Sequence, residues 1–340
     1  MKTATFKQYL LQFKNPSGTS RGVLHTKETF FLEILEGDKK GIGECALFRG
    51  LSFDDVPDYE EKLTWLCENI NQDSAYLKKE LLHFPSIWFG YEQAILNVKH
   101  GENLYFPSDF TEGKSSIKIN GLIWMGNVDF MQTQIEEKLE LGFDCIKLKI
   151  GVDWNSEKEI LRKLREKFPK EQLELRVDAN GGFTFEEAKT VLNELDELGI
   201  HSIEQPIKAG NLEEMKLLCA TTPTPIALDE ELIGVVDFEE KRKLLEKIKP
   251  QYIILKPALI GGFSGTDEWI SLAENLGIGW WITSALESNI GLNAIAQYTF
   301  TKGNKMPQGL GTGGLFTNNF ESNLQLEGDL LSMKIQEIQA

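Results

Sequence analysis

Short apolar runs that end in a polar or charged residue recur along this chain at nearly equal intervals. Lys149 to Asp178 is 29 residues, Asp178 to Glu204 is 26 and Glu204 to Asp229 is 25; Lys256 and Thr283 follow at steps of 27 and 27. The runs themselves are Ile117–Asn120, Cys145–Lys149, Leu173–Asp178, Ser202–Glu204, Ile226–Asp229, Tyr252–Lys256, Trp280–Ser284 and Gln308–Leu310. Amphipathic stretches separate them, as over 184–198, where Phe185, Ala188, Leu192 and Leu195 share a face and Thr184 with Glu187 fits a capping box. One strand, one helix and two loops per step is a βα repeat without sequence repetition. Eight strands in such a series close a (β/α)8 TIM-type barrel more readily than they make an open sheet. The polar residues then sit at the strand C-terminal ends, where barrel active sites lie.

Residues 1–110 have a different texture. Two β-like runs, 2–13 and 22–35, flank the turn-rich segment Asn15–Gly22, and helical patterns follow over 56–71 and 85–99. This pattern predicts an α+β capping domain over 1–110 ahead of a catalytic barrel over 111–319. The final run, Leu324–Ile335, alternates apolar and polar residues, and the segment 320–340 is expected to return to the cap.

Charge narrows the function. The 340 residues carry 36 Lys+Arg against 52 Asp+Glu, a formal net charge of −16, with no basic stretch. Nucleic acid and anionic membrane surfaces are therefore not expected partners, because both need clustered cations. A small anionic substrate would have to be attracted locally, by a metal ion or a few placed lysines. The four cysteines lack CxxC spacing, and Met1–Asn15 contains no continuous apolar run, so a soluble cytoplasmic protein is expected. The oligomeric state is left open.

Strand parity sorts the side chains that carry chemistry. In Cys145–Ile150 both Lys147 and Lys149 face one way and Ile146, Leu148 and Ile150 the other; Arg176 and Asp178 likewise share a face. The apolar set must pack under the helices, so the charged set faces the barrel interior. Each motif has a plainer reading when taken alone. Lys-x-Lys is often a solvated edge, Asp178 in Asp-Ala-Asn-Gly a turn, Glu204-Gln205-Pro206 a strand exit, and Asp229-Glu230-Glu231 a helix-start acid cluster. Gly261-Gly262 reads as a tight turn rather than a phosphate cradle. Their ordered arrival at successive strand ends reverses those readings. Unpaired charges in an interior are costly, whereas three carboxylates on adjacent strands supply hard oxygen ligands for Mg2+.

On these motifs the sequence resembles the enolase superfamily, its muconate-lactonizing subgroup, and within that the o-succinylbenzoate synthases, over essentially the whole chain. The resemblance implies a (β/α)7β barrel. Lys147-Leu148-Lys149 matches the family's Lys-x-Lys, whose second lysine is the acid/base, and Lys256-Pro257 matches the lysine on strand six. Asp178, Glu204 and Asp229 match the three ligands of Mg2+, with Mn2+ as a substitute. Arg176, Asn180, Thr283, Gly309, Leu310, Ser20 and Arg21 are the implied substrate contacts, Thr283 standing where the family often has serine. The implied reaction is syn-dehydration of 2-succinyl-6-hydroxy-2,4-cyclohexadiene-1-carboxylate to 2-succinylbenzoate in menaquinone biosynthesis.

In that chemistry Lys149 removes the proton beside the carboxylate and returns it to the departing hydroxyl, with Lys147 and the metal expected to depress its proton affinity. Lys256 stays charged over the delocalised intermediate. The Ser17–Arg21 and Phe48–Phe53 loops are expected to close the mouth. N-acylamino-acid racemases, dipeptide epimerases and muconate cycloisomerases share the machinery. Gly309–Phe316 contains no carboxylate to hold a dipeptide ammonium, which counts against the epimerases. A Schiff-base aldolase would not need the three acids, and a non-catalytic metal-binding barrel would leave the opposed lysines without a role.

Overall fold

The computed structural model describes residues 1–19, 22–124 and 126–334. Ser20 and Arg21, two of the expected substrate contacts, and residues 335–340 lie outside the described residues. The cap begins with a three-stranded antiparallel sheet of β1 (Lys2–Thr19), β2 (Gly22–Glu36) and β3 (Lys39–Cys45), followed by α1 (Tyr59–Glu68), α2 (Ser74–Glu80) and α3 (Pro85–His100). β3 and α2 have no counterpart among the expected elements. Alternation on β2 puts Phe30, Leu32 and Ile34 into a core with Tyr59, Leu63 and Leu66 of α1 and Trp88, Tyr91 and Ala94 of α3. β3 and α3 approach backbone to backbone: a Cβ on Gly43 would stand 2.8 Å from Gly90 C, so only glycine admits the helix so near.

After β4 (Ile117–Lys118) the barrel chain runs β5 (Gly121–Ile123), α4 (Val128–Glu140), β6 (Cys145–Lys149), α5 (Trp154–Lys167), β7 (Glu174–Asp178) and α6 (Phe185–Glu197). It continues through β8 (Ser202–Glu204), α7 (Leu212–Thr221), β9 (Ile226–Leu228), α8 (Phe238–Ile248), β10 (Tyr252–Leu255), α9 (Gly262–Leu276), β11 (Gly279–Ile282) and α10 (Asn289–Thr301). β5 to β11 form one parallel sheet in sequence order. Gln308–Gly309 takes the eighth place, bridged in parallel to Thr283 on one side and Ile119 on the other. The expected barrel is therefore present, closed by a last strand two residues wide. Helix α6 carries the full Thr184–Glu187 capping box.

The expected first strand, Ile117–Asn120, is only part of the wall: Ile119 closes the barrel on Gln308, Gly121–Ile123 continues to β6, and Ile117 and Lys118 also pair with the C-terminal hairpin β12 (Leu324–Glu327) and β13 (Leu330–Met333). Both segments are short and apolar, so periodicity alone did not separate them. The chain just before the hairpin lies along the cap: Thr317 N donates to Gln12 O at 2.8 Å, and Phe13 packs on Phe316 at 4.7 Å between ring centroids.

Gly261 and Gly262 form a tight turn with φ of 102° and 70°. The N-terminus of α9 that they open is taken by a cap carboxylate: Glu92 accepts from Phe263 N at 2.6 Å and Ser264 N at 3.2 Å. Burial pushes that carboxyl up to about 7, against those bonds. Among the described residues no helix is long and apolar enough to cross a membrane.

Candidate active site

Strand order fixes the site. Asp178 ends β7, Glu204 ends β8 and Asp229 follows β9, so the three acids stand on adjacent strands, with Asp178 and Glu204 directly opposite in register. β6 on one flank supplies Lys147 and Lys149, and Lys256 follows β10 on the other. Lys149 Nζ lies 2.9 Å from Asp178 Oδ2 and 2.7 Å from Asn180 Oδ1. Lys147 Nζ donates to Glu204 Oε2 at 2.7 Å and stands 3.4 Å from Asp178 Oδ2. Lys256 pairs with Asp229 and stands 3.6 Å from Glu204 Oε1. The two lysine walls face each other across a row of carboxylates.

All three acids are 1–2 % exposed, so their charges are decided by one another. Burial alone would raise Asp178, but Lys149, Lys147 and Lys256 together hold it well below the usual carboxylate range. Burial wins at Glu204, with the Asp178 charge adding to it, and its carboxyl is raised. Asp229 is raised by burial despite Lys256. Burial disfavours the charged form of the lysines too, yet Glu204 and Asp178 raise Lys147, and Asp229 and Glu204 raise Lys256 strongly. Both stay protonated. The backbone is strained at the same level: Asn180, Gln205 and Leu286 have φ of 44°, 40° and 62°, a region where each costs on the order of 1–3 kcal/mol.

Among the described residues no three His, Cys, Asp or Glu side chains converge as a ready cage for an ion; each acid turns to a lysine instead. The donor set still fits a divalent cation. It offers hard oxygens from three neighbouring strand ends, and Glu204 Oε1 is buried with no hydrogen-bond partner.

A family model described as "Enolase C-terminal domain-like" matches residues 131–328. An o-succinylbenzoate synthase from Desulfotalea psychrophila is 44 % identical, with 97 % of this chain and 98 % of that protein covered. The chain belongs to the o-succinylbenzoate synthase family of the enolase superfamily. It is an enzyme, a lyase of that superfamily. The crystal structure of MenC from the same organism matches at a TM-score of 0.87 and 41 % identity, over 98 % of this chain and 99 % of that one. At 19 % identity the fold alone is shared with a dipeptide epimerase from Enterococcus faecalis, solved with Mg and a dipeptide. That match has a TM-score of 0.82 and covers 97 % and 96 % of the two chains.

The remaining expected contacts divide. Asn180, Thr283 and Gly309 line the pocket with the three lysines, and Phe48 and Leu51 of the expected closing loop form its cap side. Asn180 holds Lys149 directly. Arg176 is not brought to the pocket. It lies one layer deeper on β7, bonded to Glu174 Oε1 at 2.7 Å and Pro307 O at 2.9 Å, with its guanidinium 4.2 Å from the Trp281 ring. Leu310 packs its side chain in the barrel core, and Gly309 N is committed to Ile282 O at 2.8 Å. An amide offered to a ligand from this turn must therefore come from Leu310 onward. Asn120, the polar end of the expected run Ile117–Asn120, was not singled out, and Leu122 and Trp124 beside Gly311 were missed because that run stopped short of them.

Gly309 leaves no room for a side chain: a Cβ there would press on Thr283 Oγ1 and stand 2.8 Å from its Cγ2. Gly309→Ala is expected to push Thr283 aside and raise KM about tenfold, with a smaller change in kcat, since the lysines are untouched. Steady-state kinetics with a melting curve check this.

Proposed function

We propose that the chain eliminates water from 2-succinyl-6-hydroxy-2,4-cyclohexadiene-1-carboxylate, with syn stereochemistry, to give 2-succinylbenzoate for menaquinone biosynthesis. The observation that carries this reading is the pair of opposed lysine walls, Lys149 and Lys256, across three buried carboxylates in a chain 44 % identical to a synthase over its full length. A divalent cation, Mg2+ or Mn2+, held by Asp178, Glu204 and Asp229, would supply Lewis-acid stabilisation of the negative charge that develops on the substrate carboxylate.

The chain's own residues do the rest. Lys149 Nζ, as the free amine, takes the proton from the carbon beside the carboxylate. Asn180 fixes the direction of that amine. The C–O bond then breaks, and the same Nζ returns the proton to the departing hydroxyl, so water leaves and the ring becomes aromatic. One group serves both half-steps because proton and hydroxyl leave from one face. Lys256, fixed by Asp229, stays an ammonium on the opposite face, where it attracts the delocalised ring by about 0.5–2 kcal/mol. Phe48 and Leu51 cover the mouth and exclude water.

The test is direct. Purified protein given the cyclohexadiene carboxylate is expected to form 2-succinylbenzoate with Mg2+ and not after EDTA. Proton exchange on N-succinyl amino acids in D2O without any dehydration would instead make the chain a racemase.

A further inference from the structure

Gln205, next in the chain to Glu204, takes no part in that chemistry and is 0 % exposed, so it meets no ligand itself. Its backbone is nevertheless held where side chains seldom go. At a φ of 40° it lies in the left-handed region, although Pro206 after it favours an extended residue. A set of bonds to the loops beyond the acid-bearing strands keeps it there. Gln205 O accepts from Gly181 N at 2.7 Å, in the turn after Asp178, and Gln205 N donates to Ala227 O at 2.9 Å on β9. The side chain reaches further. Its Oε1 accepts from Asp229 N at 3.2 Å and Glu231 N at 3.3 Å, while its Nε2 donates to Ile207 O at 3.0 Å and Glu231 Oε2 at 3.1 Å. Glu231 Oε1 then accepts from Gly210 N at 2.8 Å, which ties the loop after β8 to the turn after β9.

The amide fits this place in one orientation only. Two N–H groups meet its oxygen and two acceptors meet its nitrogen, a demand that neither a carboxylate nor an apolar side chain can satisfy. We propose that Gln205 is a positioning residue, which sets the spacing of Asp178, Glu204 and Asp229 as ligands of one divalent cation. It is bonded to the turn that follows the first acid, is covalently joined to the second and accepts from the main-chain amide of the third. Lys256 holds the Asp229 carboxylate, whereas Gln205 holds the backbone from which that carboxylate springs. A small hard cation asks its oxygen ligands for nearly fixed distances, so a strand end free to drift costs affinity.

This inference rests on the reading that the three acids share Mg2+, and its test separates the two. Gln205→Leu, similar in size but without the amide, is expected to raise the calorimetric Kd for Mg2+ about tenfold, measured without substrate and below the melting temperature. A purely structural role would lower the Tm in EDTA and leave that Kd unchanged, an outcome that overturns the proposal. Exchanging the two groups, in Gln205→Glu with Glu231→Gln, keeps the net charge, the two amides on the oxygen of residue 205 and the bond between the side chains; it gives up the bond to Ile207 O. The exchanged protein is expected to bind Mg2+ within about threefold of wild type. A Kd no better than that of Gln205→Leu overturns the proposal as well. Should Gln205→Leu not fold, Gln205→Asn, one methylene too short to span the same partners, takes its place with the same expectation and the same overturning result. A wild type that binds no Mg2+ sinks the shared-ion reading instead.

Discussion

Alanine at position 149 is expected to lower turnover by about 10³-fold or more, because in the proposed dehydration the amine it removes would serve as both base and acid, each a role worth on the order of 10²–10⁴. The same substitution should leave the fold standing. Asp178 would lose the ammonium at 2.9 Å but keep Lys147 at 3.4 Å and the Asn180 amide at 3.1 Å, so no buried carboxylate is abandoned. Activity and stability should therefore part company: kcat collapses, the melting temperature moves by a few degrees, and Mg2+ binds no more weakly than to the wild type, since a group that competes for Asp178 is gone. Lys147 makes a useful contrast, since it holds the otherwise buried Glu204 at 2.7 Å and its removal strikes stability as well. A Lys149→Ala enzyme that turns over within tenfold of wild type would disprove the base assignment.

The even spacing of polar strand ends was enough to predict the barrel, because one βα step has a nearly fixed length in residues. Parity was enough to put Lys147, Lys149, Asp178 and Lys256 on the inside, and the ordered strand ends added Glu204 and Asp229. What parity cannot give is depth. Arg176 and Asp178 share a face of β7, yet a barrel interior is layered and only its last layer opens to a ligand. Two residues earlier on the strand, Arg176 is filler between Glu174 and Trp281. The cap–barrel seam was illegible for another reason. Glu44 meets Ser288 across 244 residues and Glu92 meets Phe263 across 171, and neither glutamate carries a local signal that its partner is a distant helix start. The first barrel strand was read only in part, because the apolar stubs Ile117–Lys118 and Gly121–Ile123 belong to different sheets while Ile119 between them closes the barrel on Gln308.

Lys256→Met should produce the largest loss of metal-free stability. Asp229 would lose its ion-pair partner and Glu204 Oε1, already without a hydrogen bond, the ammonium at 3.6 Å. Breaking a buried pair by removing one partner costs about 3–5 kcal/mol. In a chain of this size that corresponds to a fall of about 4–7 °C in Tm. The sign of the metal response is the sharper part of the expectation. Three ammonium groups balance the three acids in the wild type, and a divalent cation must compete with them. With Lys256 gone the acids gain net negative charge, so Mg2+ binds the native state more tightly and stabilises it more by mass action. The melting temperature in EDTA should thus fall well below wild type, and Mg2+ should restore much of the difference. Turnover stays low throughout, because the neutral methionine cannot stabilise the charge that Lys256 faces. If Mg2+ lifts the variant no more than it lifts the wild type, Asp178, Glu204 and Asp229 do not share an ion, and their burial together would need a different cause.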